Sequence, residues 1–230
     1  MPPAQPNPSR HEATPQRPGD QAGDRPSPAA MAQVEVRPLL ATDPIAPITE
    51  LLHRAYASQR ARGMDPLAGR QTVDITRRRC YRGQTFVALR PAAGPPSANF
   101  RERLLGTILF QEREDAAFPP WFLRKDVTHF SQFAVEPGLQ KLGVGSALLR
   151  CVEEQTLAMG CRELALSMAE PDVPLREYYE RRGYRVVQTW QWPYTNYVSL
   201  IMSKTLRGPD DGPGPSAGPS AGPAAGPEDR

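Results

Sequence analysis

One segment restricts the fold more than any other. A β-rich run, His129-Phe-Ser-Gln-Phe-Ala-Val135, is followed by Glu-Pro-Gly-Leu and then by Gln140-Lys141-Leu142-Gly143-Val144-Gly145-Ser146. Past it, the apolar residues Val144, Leu148, Val152 and Met159 fall on one side of a helix, and Gly160 marks its end. The first turn of a helix carries amide N–H groups without intrahelical acceptors and the positive end of the helix dipole. Together these make an anion site, suited above all to phosphate. Gly143 and Gly145 remove side chains from that turn, so a pyrophosphate can approach the amides closely. Gln140 or Lys141 adds a polar or charged contact. Two familiar phosphate motifs are excluded. The GxGxxG fingerprint needs glycine where Leu148 stands, and no GxxxxGK[ST] loop is present. Taken alone, the glycine pair reads as an ordinary Gly-rich helix start.

The rest of the chain reads as a mixed α/β domain. A strand is expected at 34–38, and a helix opened by Asp43-Pro44 carries Ile45, Ile48, Leu51, Leu52, Ala55 and Tyr56 at helical spacing. A basic helix at 74–81 stops at Gly83. Strands at 84–89 and 104–111 form an antiparallel pair across a Pro/Gly/Ser turn region. After the glycine helix come a strand at 163–168, a helix from Asp172 and Pro174 to Arg182, and two last strands at 184–190 and 197–204. The expected architecture is α/β (α+β): a mixed central sheet of six to seven strands with about four helices and one crossover. The last strand, at 197–204, is read as an edge able to pair across a homodimer.

Composition sets the boundaries. The 27 Pro and 18 Gly residues cluster at the two ends. Residues 1–32 and 207–230 hold too few apolar side chains to offset the entropy of ordering, so both are expected to be disordered tails around a domain at 33–206. Met31 opens a stretch that reads as a domain start, which makes translation from Met31 an alternative to Met1. The three cysteines, Cys80, Cys151 and Cys161, are widely spaced, and the histidines are His11, His53 and His129. This pattern gives no metal site and no disulfide framework, and it suits reduced thiols in a cytoplasm. No signal peptide and no span of roughly 20 apolar residues is visible. A net charge of +3 is too mild to imply nucleic acid. The run Arg77-Arg78-Arg79 with Arg82 reads as a solvated helix face, or as an attractor for an acidic ligand.

The stretch 133–149, FAVEPGLQKLGVGSALL, resembles the acetyl-CoA motif of the GNAT family of N-acetyltransferases, Gln/Arg-x-x-Gly-x-Gly/Ala after a strand. Downstream, 175–184, LREYYERRGY, resembles the family's next motif, a Tyr four residues before a Gly-aromatic pair. The order, the spacing and the succession of elements agree with that family over about 34–206. One departure is plain. Many members carry Asn just after the strand equivalent to 163–168, and this chain has Ser167-Met-Ala-Glu-Pro171.

The resemblance implies a cofactor and a mechanism. Acetyl-CoA is held non-covalently, its pyrophosphate on residues 140–146. Its pantetheine arm lies between splayed strands 129–135 and 163–168, pairing with backbone at Phe133, Ala134 and Val135. The acetyl group passes directly to an amine, on a small molecule or a protein. Such chemistry needs a base for the amine proton, N–H donors for the oxyanion, and a proton for the departing thiolate. The Val135 amide is the oxyanion candidate. Tyr179 matches the family's general acid, and its structural alternative is a core tyrosine. His129 is the candidate base, with Glu112, Glu114, Asp126 and Glu170 as competitors. The acceptor groove would lie among His53, Tyr56, Arg77–Arg79, Trp190, Trp192 and Tyr194. The aromatic run 190–194 is either its wall or a hairpin tip packed on the core or on a second subunit. Two alternatives stay open: an acyl-CoA-binding module without catalysis, and an unrelated phosphate- or nucleotide-binding enzyme.

Overall fold

The computed structural model describes residues 34–91, 99–112 and 117–206. The two tails, Met31, Glu114 and most of the Pro/Gly/Ser turn region lie outside the described residues. Seven strands form one sheet: β1 (Glu35–Pro38), β2 (Gln84–Leu89), β3 (Leu104–Phe110), β4 (Val127–Val135), β5 (Glu163–Ala169), β6 (Arg185–Trp190) and β7 (Ser199–Thr205). Their order is β1-β2-β3-β4-β5-β7-β6. Among the described residues six α-helices accompany them: α1 (Ile45–Ala55), α2 (Ala57–Ala61), α3 (Val73–Arg82), α4 (Phe100–Arg103), α5 (Val144–Ala158) and α6 (Val173–Glu180).

The strands from β1 to β4 pair antiparallel, β4 and β5 pair parallel through the α5 crossover, and β7 runs antiparallel to both β5 and β6. Strand alternation sorts the core into two layers. Phe86 and Ala88 of β2, with Phe130, Leu164 and Leu166, pack under Val144, Leu148 and Val152 of α5. Val87 and Leu89 face the other way, onto Ile45, Ile48, Leu51 and Leu52 of α1. The helix α5 lies close on the sheet because β3 carries Gly106. A Cβ there would stand 2.9 Å from both the Ala134 carbonyl oxygen and Leu148 Cδ1.

Two irregularities of β4 shape the molecule. Thr107 pairs with Ala134 while Leu109 pairs with Ser131, so two residues of β4 oppose one of β3. This β-bulge contains Gln132 at φ 46°, and it turns both Phe130 and Phe133 toward the α5 layer. The β4–β5 ladder runs only from Val127↔Glu163 to Phe130↔Leu166. Beyond that point β5 continues on β7 alone, and β4 is left with one free edge over Ser131–Val135.

Several expectations need correction. The segment 197–204 is not an edge strand, because β7 lies between β5 and β6; the edges are β1 and β6. Met159 is 56% exposed at the end of α5 rather than on its buried side, where Leu149 and Thr156 complete the stripe. Helices α2 and α4 and the short 3-10 turns Leu67–Gly69 and Pro120–Leu123 stand where loops were expected. At three to five residues each, they are too short to show a period. Gly83 ends α3 in an extended conformation, φ −138°. Its lack of a side chain is required by closeness, since a Cβ would meet the Phe110 carbonyl oxygen at 2.6 Å.

Candidate active site

A cavity of about 960 Å³ occupies the opening between β4 and β5. Eight of the ten residues expected to hold the cofactor line it: Phe133, Ala134, Val135, Gln140, Lys141, Gly143, Gly145 and Ser146. Leu142 points outward, and the Val144 side chain is buried in the core beneath the turn. The first hydrogen bond of α5 is Ala147 N–H to Gly143 O at 2.9 Å, which leaves the amides of the turn before it without helical acceptors. Gly143 adopts φ +92° with no atom within 4 Å of a would-be Cβ, so this face of the turn is open. Lys141 adopts φ 68°, and the chain is thereby folded back over the helix start. A Cβ on Gly145 would lie 3.2 Å from Phe133 Cζ, 3.4 Å from Val135 Cγ2 and 3.7 Å from the Tyr178 hydroxyl. The glycine turn therefore lies against side chains of the stretch of β4 that the splay leaves unpaired on one side. The carbonyl of Phe133 accepts a hydrogen bond from Tyr56 Oη at 3.3 Å, which leaves its second lone pair.

Tyr179 also lines this cavity, and only 4% of it is exposed. Its ring packs on Phe130, Tyr178 and Tyr184 at centroid distances of 6.3, 5.3 and 5.4 Å. Burial, reinforced by the neighbouring tyrosines, holds its phenol well above the usual range, so it stays protonated. Tyr178, its neighbour, presents its ring to Arg182, whose guanidinium carbon is 3.6 Å from the ring centroid. Arg181 and Arg182 line the cavity too. Sequence reasoning missed this role for them. Their position one turn past the two tyrosines was the available signal.

His129 and Ser131 lie on the opposite face of β4 from Phe130. His129 Nε2 is 3.1 Å from the Glu112 carbonyl oxygen, a contact in which the imidazole must donate. Nδ1 is therefore the lone-pair nitrogen, buried and without a partner. The ring stacks on Phe122 (4.6 Å, 6°) and tilts against Phe118 (5.5 Å). Burial pushes its pKa down to about 4, against the weaker upward pull of Glu112. The competitors separate clearly. The carboxylate of Glu112 is 3% exposed and receives both forks of Arg79 and the Ser131 hydroxyl. Asp126 pairs with Arg124 away from the cavity, and Glu170 is exposed. Of the other groove residues, Tyr56, Arg79, Trp192 and Tyr194 line the cavity; Arg77 and Arg78 are exposed, and His53 binds the Gln71 carbonyl.

Two features were not legible in the sequence. Asp172 does not cap α6 with its side chain; its buried carboxylate instead accepts from Gln59 Nε2 (2.8 Å) and Arg62 Nη1 (2.9 Å), tying α2 to the start of α6. Ser167, inside β5, accepts from the Trp192 indole N–H at 2.9 Å. Among the described residues no group of three His, Cys, Asp or Glu side chains is placed to hold a metal, the three cysteines are free, and no helix is long and apolar enough to cross a membrane.

This arrangement defines an acyl-CoA-type transferase fold: a splayed parallel strand pair with a glycine-opened helix at its mouth. The sequence profile of the Acetyltransferase (GNAT) family matches residues 49–184, and the chain belongs to that family. Solved structures share the fold at low identity. A GNAT family acetyltransferase from Elizabethkingia anophelis with acetyl-CoA bound is 14% identical at a TM-score of 0.50, covering 75% of this chain and 98% of that one. The ribosomal-protein-S18-alanine N-acetyltransferase from Escherichia coli is 17% identical at 0.51, covering 77% and 98%. Ard1 from Thermoplasma volcanium is 13% identical at 0.53, covering 76% and 99%. No curated protein sequence matches the chain at the level required of a relative.

Proposed function

We propose that the protein is an acetyl-CoA-dependent N-acetyltransferase that moves the acetyl group directly to a primary amine in a ternary complex. The observation that carries this reading is the closeness of Gly145, in the Gly143–Ser146 turn, to the Phe133 and Val135 side chains on the half-unpaired stretch of β4. That closeness sets phosphate-binding amides beside a half-unpaired strand able to hydrogen-bond the pantetheine arm. Lys141 and Arg182 supply positive charge at the same end. The neighbour with acetyl-CoA bound supports the same cofactor.

In the reaction, the neutral amine attacks the thioester carbon, forming the C–N bond, and the carbonyl oxygen becomes an oxyanion facing the Val135 amide. Collapse breaks the C–S bond. Tyr179 gives its proton to the departing thiolate and recovers one from solvent. The amine proton leaves to a water, with His129 Nδ1 as the base that a shift of Phe118 or Phe122 would uncover. Residues 33–206 act as the catalytic domain, in the cytoplasm, where the three free thiols are stable. The protein works as a monomer or as a homodimer through β1 or β6. Thiol release from acetyl-CoA by the full chain, measured across a panel of amines, tests the reading. Acetyl-CoA binding with no turnover on any amine would identify a binding module instead.

A further inference from the structure

The acceptor side of the cavity has its own chemistry. Phe118 and Phe122 reach it from the loop before β4, and Trp192 and Tyr194 from the β6–β7 connection. Their rings form one array. Phe118 meets Trp192 edge-on at 6.4 Å, Trp192 stacks on Tyr194 at 5.6 Å, and Phe122 stacks on His129. The Trp192–Tyr194 part of the array is fixed in place. Trp192 donates to Ser167, and the 192–197 turn is stitched to the segment after α2 by three hydrogen bonds of 2.8 Å. These run from Asn196 Nδ2 to Gly63 O, from Asp65 N–H to Asn196 Oδ1, and from Arg70 Nη2 to Tyr194 O.

Charge points the same way. Among the described residues the carboxylates lining the cavity are Glu112 and Asp172, and each is already held by a guanidinium, from Arg79 and Arg62. A second positive charge on an acceptor would find no uncompensated anion among the described residues here. His129, embedded in the array, is itself held neutral by burial.

We infer that the acceptor is a small primary amine carried on an aromatic body, with no charge other than that of the amine itself. This inference rests on the N-acetyltransferase reading of the same site. The rings supply a preorganised apolar wall whose stacking geometry suits an aryl group. Such surroundings also disfavour the ammonium form and so favour the neutral amine that attacks. A polyamine or a lysine-rich segment would have to desolvate extra cations beside carboxylates that Arg62 and Arg79 already occupy.

The test compares kcat/KM of the full chain, by thiol release at saturating acetyl-CoA, for 2-phenylethylamine, spermidine and a short peptide with a free N-terminal alanine. The expected result is a preference for 2-phenylethylamine over both others of about tenfold or more. Phe122→Leu should narrow the preference for 2-phenylethylamine over methylamine by about tenfold while acetyl-CoA still binds. Faster turnover of spermidine or of the peptide would overturn this inference and leave the N-acetyltransferase reading standing. No thiol release on any of these amines, with release on another amine of the wider panel, would overturn this inference alone; acetyl-CoA binding with no release across the whole panel would overturn both.

Discussion

Arg79 and Glu112 meet as two parallel forks, Nε to Oε1 and Nη2 to Oε2, both at 2.5 Å. The guanidinium side chain is 11% exposed and the carboxylate 3%. A pair this deep contributes most visibly when it is broken, because the remaining charge stays buried without the partner that holds it through two hydrogen bonds. Glu112→Ala should therefore lower unfolding stability by about 3–5 kcal/mol in urea denaturation. The double variant Arg79→Met/Glu112→Leu should lose less than the sum of the two single changes. Additive losses would show that the pair is not coupled.

Tyr179 combines a core position with a catalytic one. Tyr179→Phe keeps the ring contacts with Phe130 and Tyr184 and removes only the hydroxyl. Turnover should fall about a hundredfold, with the acetyl-CoA dissociation constant unchanged. Equal turnover in the variant would leave Tyr179 as a core residue alone.

His129 makes stability depend on pH. Its pKa is lowered in the folded protein to about 4, from an unfolded value of 6.5. The unfolded chain therefore binds a proton that the folded chain refuses, and folding loses stability as pH falls through that window. The loss starts near pH 6.5, is complete below about 4, and is absent above 7. It amounts to about 3 kcal/mol. Thermal melts of His129→Gln should lack this increment, so wild type and variant should converge on acidification relative to neutral pH. Parallel melting curves against pH would contradict the burial of a neutral imidazole.

Much of the fold was legible because its signals are local. The long strands and helices α1, α3 and α5 show their periods, and the Gly143–Gly145 turn announces itself by composition. The position of β7 between β5 and β6 was not legible, since strand order depends on pairing across distant segments. The Asp172 latch to Gln59 and Arg62 was hidden for the same reason: its partners lie more than a hundred residues away. The short helix α2 gave no period to read. Burial separated the candidate bases. Sequence marks Glu112 and His129 as titratable, but only packing shows one ion-paired and the other pressed between phenylalanines.

Calorimetric titration of the full chain with acetyl-CoA, against ATP and NAD and alongside Gly143→Asp, tests the central claim most directly. The φ of +92° at Gly143 strains any side chain placed there, although a Cβ meets nothing within 4 Å. The substitution sets a carboxylate where the pyrophosphate belongs, and a cooperative thermal melt of the variant checks that the strained turn has not unfolded the domain. The account predicts selective, saturable binding of acetyl-CoA that Gly143→Asp abolishes. Equal binding of ATP, or undiminished acetyl-CoA binding by the variant, would contradict it.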